Sequence, residues 1–183
     1  MTGTLTALSS FLLNTPHLLP FMECLGKGIC LNDSIDVPNY IHPPTMEAAA
    51  EVASNLRPED RSELVDGLGE DPMEMLLDSV WDPNTVYFTV PNGKAAGMAG
   101  VYEDGEIWMV CTPAIYDYPL TFAREAKRFV DSRPEPFLQN IVDKENTVHI
   151  RLLRFLGFKF LQEYPFGPNN KTFIEFCKIN GLS

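Results

Sequence analysis

The chain has 183 residues, 45% of them apolar, enough to bury one core and leave an extension. Fourteen basic against twenty-five acidic residues give a formal net charge of −11. A field of that sign disfavours a nucleic-acid backbone or an anionic membrane as the main partner.

Met1 to about Pro38 is apolar, punctuated by proline and almost uncharged; Phe11, Leu12, Leu13, Leu18, Leu19, Phe21 and Met22 are too many large apolar groups for a solvated tail. This extension is expected to be ordered, burying Phe11, Leu12 and Phe21 against its own domain, another copy of the chain or a partner. A domain over 39–183 follows. Asn39-Tyr-Ile-His42 suits a short strand closed by Pro43-Pro44, and Thr45 suits the cap of a helix to about Ala53. Pro58 with Glu59 and Asp60 behind it marks a second helix start, and a third helix fits Pro72 to Val80. Thr85–Val90 and Ala95–Glu103 read as strands joined at Pro91-Asn-Gly-Lys94. Asp104-Gly105 turns into a strand over Glu106–Thr112. A helix from about Pro119 to Ser132, a strand over Phe137–Val142, a helix opened by Asn146, and a hairpin of Phe158–Tyr164 and Thr172–Ile179 complete the order.

The cysteines Cys24, Cys30, Cys111 and Cys177 show no Cys-x-x-Cys spacing and the three histidines are scattered, so no metal site is expected. Cys111 and Cys177 lie in apolar strand patterns and read as buried, reduced thiols. No basic residue precedes Lys27 and no apolar run approaches the roughly 20 residues of a membrane span, so neither a secretory signal nor a span is expected, and the chain reads as soluble. Between Leu120 and Phe160 there are eight basic residues against five acidic ones, a local excess that suits either a solvated helix surface or a patch that tolerates a phosphorylated cofactor or an acidic protein partner.

The most informative stretch is Asn146-Thr-Val-His-Ile-Arg-Leu-Leu-Arg-Phe-Leu-Gly-Phe158. Thr147, Arg151 and Arg154 form a polar stripe, and Val148, Leu152 and Phe155 an apolar one. Gly157 suits a left-handed helix stop that leads straight into a strand. Asn146 followed by Leu156-Gly157-Phe158 resembles a segment near the end of the GCN5-related N-acetyltransferase (GNAT) fold. That resemblance implies an α/β (α+β) domain with a mixed, mainly antiparallel central sheet flanked by helices, here with an N-terminal extension. It also implies that Asn146 sits beside the pantetheine arm of coenzyme A, if acyl-CoA binds. Read further, Asn146-Thr147, His149-Ile-Arg151, Phe155 to Gly157, Phe160, Glu163-Tyr164 and Gly167 resemble a phage family that includes the small internal virion proteins of short-tailed bacteriophages. Asn55-Leu-Arg-Pro-Glu-Asp-Arg61 resembles an early segment of that family's uncharacterised relatives.

Against acyl transfer stands the stretch Thr112-Pro-Ala-Ile-Tyr-Asp-Tyr-Pro119. At this turn the GNAT fold carries a glycine-rich pyrophosphate loop, yet no glycine occurs between Gly105 and Gly157. Leu153 stands where many of these enzymes have a proton-donating tyrosine, and His149 where many have a small alanine. Glu103, Glu106 and His149 are the candidate catalytic groups, with Tyr116 and Tyr118 as further phenols. The resemblance implies a virion-associated or assembly protein that contacts other phage proteins, in a phage virion or host cytoplasm; the apolar extension leaves room for self-association, and the glycine-free turn favours no cofactor. The alternative is an acetyl-CoA-dependent N-acyltransferase acting on an amine of a protein or small molecule.

Overall fold

Thr45 caps the first helix as its position suggests: its hydroxyl accepts from Ala48 N at 3.1 Å, opening α1 (Met46–Ser54). The computed structural model describes residues 39–180, so the expected burial of Phe11, Leu12 and Phe21 lies outside the described residues, as do Cys24 and Cys30. After α1, Pro58 starts α2 (Pro58–Ser62), which widens into a π-helical turn, Glu63–Leu68, and stops at Gly69. Asp71 accepts from Met73 N and Glu74 N, both at 2.9 Å, and opens α3 (Pro72–Ser79). No described helix is long and apolar enough to cross a membrane.

Strands β1 (Ile41–His42), β2 (Val86–Thr89), β3 (Ala95–Val101) and β4 (Ile107–Cys111) form one antiparallel sheet in that order. A register shift at Phe88/Thr89 sets a bulge opposite the start of β3. Every residue of β3 is buried, because helices cover both faces. On one face Met98 meets Val52 of α1 and Leu76 of α3 in a shared core. On the other, Phe88 packs edge-on against Phe122 (5.7 Å) and Phe129 (6.0 Å) of α4 (Pro119–Asp131). β3 ends at Val101 rather than Glu103, since Gly105, at φ +84°, turns the chain with Gly105 N on Tyr102 O.

The second sheet has three antiparallel strands, with β7 (Lys171–Ile179) between β5 (Phe137–Asp143) and β6 (Lys159–Phe166). The two sheets touch at one end only. A parallel bridge joins Glu106 to Gln139, Gln139 N donates to Gly105 O at 3.0 Å, and Asn140 Nδ2 donates to Ile107 O at 2.9 Å. Beyond that point β4 and β5 diverge, so the C-terminal end of β4 shows an unpaired backbone edge to the gap.

Helix α5 (Thr147–Phe155) crosses near the gap. Gly157 sits at φ +90°; its N–H reaches Arg154 O at 3.1 Å and Phe158 N reaches Leu153 O at 3.0 Å. This paired closure is a Schellman stop, and β6 follows at Lys159. The expected α+β fold with a mainly antiparallel, helix-flanked sheet is thus observed, the sheet being split between β4 and β5.

Candidate functional site

The free edge of β4 at Cys111 is met by the start of α2, through the Arg57 backbone and the Asp60 side chain. Arg57, just before Pro58, donates its backbone N–H to Cys111 O at 2.9 Å, and the Asp60 carboxylate accepts Cys111 N at 3.0 Å. The pair therefore serves the last β4 residue as a neighbouring strand would. Arg57 grips Asp60 in a fork, with Nε on Oδ2 at 2.8 Å and Nη2 on Oδ1 at 2.7 Å, and both side chains are almost wholly buried. An acidic residue in a helix's first turn ordinarily faces solvent; here it turns inward onto a buried cation.

Asn146, the cap of α5, closes the other side. Its Nδ2 donates to Asp60 Oδ1 at 2.9 Å and Glu63 Oε2 at 2.8 Å, while its Oδ1 accepts from Arg57 Nη2 at 3.2 Å and His149 N at 3.4 Å. Both amide hydrogens are thereby used. His149 Nδ1 lies 3.2 Å from Asn146 Nδ2 and 3.3 Å from Asp60 Oδ1. On its other side, His149 Nε2 lies 3.7 Å from Cys111 Sγ. Tyr116 Oη takes the last Arg57 contact, from Nη1 at 3.2 Å.

Asp60 gathers donors from Arg57, Cys111 and Asn146, with His149 Nδ1 beside it at 3.3 Å. Burial alone would raise its carboxyl, but the His149 and Arg57 contacts outweigh it and hold the group below the usual range. Burial and the Arg57 charge hold His149 below its ordinary value, against Asp60, so it stays neutral near pH 7. Burial, aided by Asp60, pushes the Cys111 thiol well up. Cys111, His149 and Asp60 thus form a Cys–His–Asp chain whose thiol is protonated and sealed off, the opposite of an activated nucleophile. The same three residues bring one potential ligand atom each within 4.8 Å of one another, a grouping that sequence spacing did not show. The donor set does not fit a metal: the Asp60 oxygens are taken by Arg57, and the two His149 nitrogens face different partners.

Beside the cluster lies a cavity of about 530 Å³ that threads the gap, lined by residues 107–110 of β4, 140–142 of β5, α5 and the π-helical turn. Of the candidate catalytic residues, His149 and Glu106 line it, and Glu103 stands exposed outside it. Glu106 is partly buried, its carboxyl raised by burial and by Asp104. Glu63 lines the cavity too, and burial, with the charges of Asp60 and Asp143, lifts it to about 7 against the Asn146 hydrogen bond. Sequence reasoning passed over Arg57, Asp60 and Glu63. Arg57 and Asp60 had one signal, the Asn55–Arg61 resemblance, and Glu63 had none; the structure joins that segment to the Asn146 segment through Arg57, Asp60, Asn146 and His149.

Three N–H groups of the turn from Thr112 to Pro119 are bonded within it, and Thr112 N donates to Ala96 O at 2.9 Å. Ala114 N bonds the Thr112 hydroxyl, Ile115 N bonds Thr112 O and Asp117 N bonds Ala114 O, while Pro113 and Pro119 have no N–H. Asp117 is exposed on its rim. On α4, Lys127 pairs with Asp131 and Arg128 with Glu125, each at 2.6 Å.

No protein-family profile matches the chain, and no curated protein matches it. Solved structures do. An acetyltransferase of the GNAT family from Streptococcus pneumoniae is 19% identical, with a TM-score of 0.50 over 77% of this chain and 98% of its own. One from Bacillus anthracis is 13% identical, with a TM-score of 0.56 over 76% and 93%. The fold is the GNAT fold. A third neighbour, the aminoglycoside acetyltransferase AAC(6')-Ib in complex with coenzyme A and kanamycin, is 16% identical with a TM-score of 0.52 over 77% and 94%. These three are acetyltransferases, and none is a phage or virion protein. At such identities the likeness speaks for the fold alone.

Proposed function

We propose that this chain is a GNAT-fold protein that acts by binding other proteins and does not turn over acyl-CoA. One observation carries this reading: Arg57 and Asp60 occupy the amide of Asn146 and the free backbone edge of β4, the place that the family resemblance gives to the pantetheine arm. Opening that place means breaking a buried, bidentate ion pair, which costs several kcal/mol on the order known for such pairs. The Thr112–Pro119 turn adds no converging donors for a pyrophosphate. The phage reading, a virion-associated or assembly protein working in a phage virion or host cytoplasm, rests on the Asn146–Tyr164 and Asn55–Arg61 resemblances. It is supported by the direct contact between those two segments.

The second reading is an acetyl-CoA-dependent N-acyltransferase. The structural neighbours favour it over a virion role, since those named are acetyltransferases and one was solved with coenzyme A. Its residues would be Asn146 toward the cofactor and Glu63, Glu106 or His149 as proton acceptors around the cavity. Direct attack of a neutral amine on a thioester needs orientation and a base, and Leu153 supplies no proton to the leaving thiolate. Calorimetric titration of acetyl-CoA into the full chain decides between the two. Absence of heat at millimolar cofactor is the expected result, and micromolar binding overturns the binding-protein reading.

A further inference from the structure

The outer face of α3 is both acidic and apolar. Between Ser62 and Ala123 there are eleven acidic residues and one basic residue, Lys94. Glu74 and Asp78 stand exposed at i and i+4, a spacing at which like charges repel along a helix. Asp78 also lies in the last turn, where the helix dipole is negative and no basic residue answers it. Among the described residues neither carboxylate meets a cation. Beside them run exposed Met73 and half-buried Leu77, and hydrogen bonds from Val80, Trp81 and Asp82 to the residues three earlier continue the turn. Trp81, on that bonded turn, is 79% exposed, more than any other large apolar residue among the described residues.

A complementary face belongs to α5. Arg151 and Arg154 on the helix and Lys159 at the start of β6 are all exposed. Lys127, Arg128, Lys144, Lys171 and Lys178 have carboxylate partners, whereas among the described residues these three have none. Arg154 lies over the Phe160 ring at 5.3 Å, and Leu161, next along the strand, is exposed. Arg151 and Arg154, three apart on a helix, are set about 5–6 Å from each other, as are Glu74 and Asp78. Ile150 and Leu152 of α5 share the core of α4, while Leu76 of α3 belongs to the core on the opposite face of the first sheet. The acidic and basic faces therefore lie on opposite sides of the fold and cannot neutralise each other within one copy.

We infer that the outer face of α3 docks on the Arg151–Lys159 face of a second copy of this chain, with Trp81 as its apolar anchor. Glu74 and Asp78 meet Arg151 and Arg154, and the Trp81 indole packs on the guanidinium stems and Leu161. Because the two faces lie on opposite sides, each contact leaves one face open at either end, and copies add head to tail. At about 0.15 M salt the Debye length is about 8 Å, so the net charge of −11 is screened between copies while charges in contact are not. The inference rests on the protein-binding reading above and names a second copy as one partner.

Sedimentation velocity of the full chain at that salt concentration tests it. The average mass is expected to rise with concentration past that of a dimer, over about 10–100 micromolar. Glu74→Lys with Asp78→Lys should leave a monomer, and so should Arg151→Glu with Arg154→Glu. Mixing these two reversed chains restores opposite charges across the contact and should restore association, an outcome that misfolded variants could not give. Trp81→Ser should weaken association at least about tenfold. A constant monomer mass, growth that stops at a dimer, association that survives either reversal, or no recovery on mixing overturns the inference. Such a failure leaves the acetyl-CoA titration to judge the protein-binding reading, since mass and cofactor binding are separate measurements.

Discussion

The guanidinium of Arg57 and the amide of Asn146 meet across 89 residues of chain, Nη2 donating to Oδ1 at 3.2 Å, with Asp60 bonded to both. This contact ties the entry of α2 to the entry of α5 and closes the wide end of the gap between the sheets. Each group is buried, and each depends on the others for its hydrogen bonds.

Removing one member should therefore cost far more than removing both charges together. Asp60→Ala leaves the Arg57 charge buried, and Arg57→Ala leaves Asp60 facing its remaining donors alone; each is expected to destabilise by about 3–5 kcal/mol. The double change Arg57→Met with Asp60→Leu should cost clearly less than the sum of the singles. Urea unfolding of the three variants measures this. Losses below about 1 kcal/mol for the singles would mean that the pair is not the structural lock described here.

Much of the fold was legible in the chain because its signals are local. Thr45, Pro72, Gly105 and Gly157 act through their own backbone neighbours, and each appears where its chemistry places it. The split between β4 and β5 was not legible, since β4 carries an ordinary strand pattern and the missing partner is a property of the other sheet. Asp60 was hidden for a similar reason. Within its own segment it is a helix-start acid beside Pro58, and only the tertiary approach of Cys111, Asn146 and His149 turns it into a buried hub. His149 was legible as a candidate but not in its role. Its neutral state follows from its burial and the nearby Arg57 charge.

The raised Glu63 carboxyl gives a pH dependence whose sign can be stated. Its folded pKa, about 7, exceeds the ordinary carboxyl value of 4.5, so the folded state keeps a proton that the unfolded chain gives up. Stability from this group is full below the ordinary value and is lost as pH rises through the folded one, by up to about 3 kcal/mol. His149 works in the opposite sense: its depressed folded pKa means that stability is lost as pH falls below 6.5. Glu63→Gln should thus flatten the loss between about pH 5 and 8 and stabilise the protein most at the upper end of that window. Chemical denaturation across that range checks it, and a variant with the same slope as the parent would refute the assignment.

Gly157 is the second backbone test. A side chain at φ +90° is strained whatever space surrounds it, and the nearest neighbouring atom, Lys178 Cε, lies 4.0 Å from the position a Cβ would take. The cost of substitution is therefore conformational and not steric. Gly157→Val should lower stability by about 1–2 kcal/mol, and Gly157→Asn, which tolerates the left-handed region, by less. Equal losses for the two would point to packing instead.

Cys111 offers the sharpest check on the site's chemistry. It stands in line with His149 and Asp60, the residue types that activate a nucleophilic thiol elsewhere. Yet its side chain is fully buried, burial raises its pKa, and it contributes nothing to the cavity wall. The thiolate, the form that reacts, is therefore scarce and out of reach. In the native chain at mildly alkaline pH, iodoacetamide should label Cys177, which is only partly buried, well ahead of Cys111. Asp60→Ala, by loosening the α2 contact over β4, should speed labelling of Cys111 toward the unfolded rate. Peptide mapping by mass spectrometry separates the two cysteines. If Cys111 in the unaltered protein reacts as fast as an exposed thiol, the Cys–His–Asp chain is accessible, and a thiol-based enzyme replaces the sealed cluster as the reading of this site.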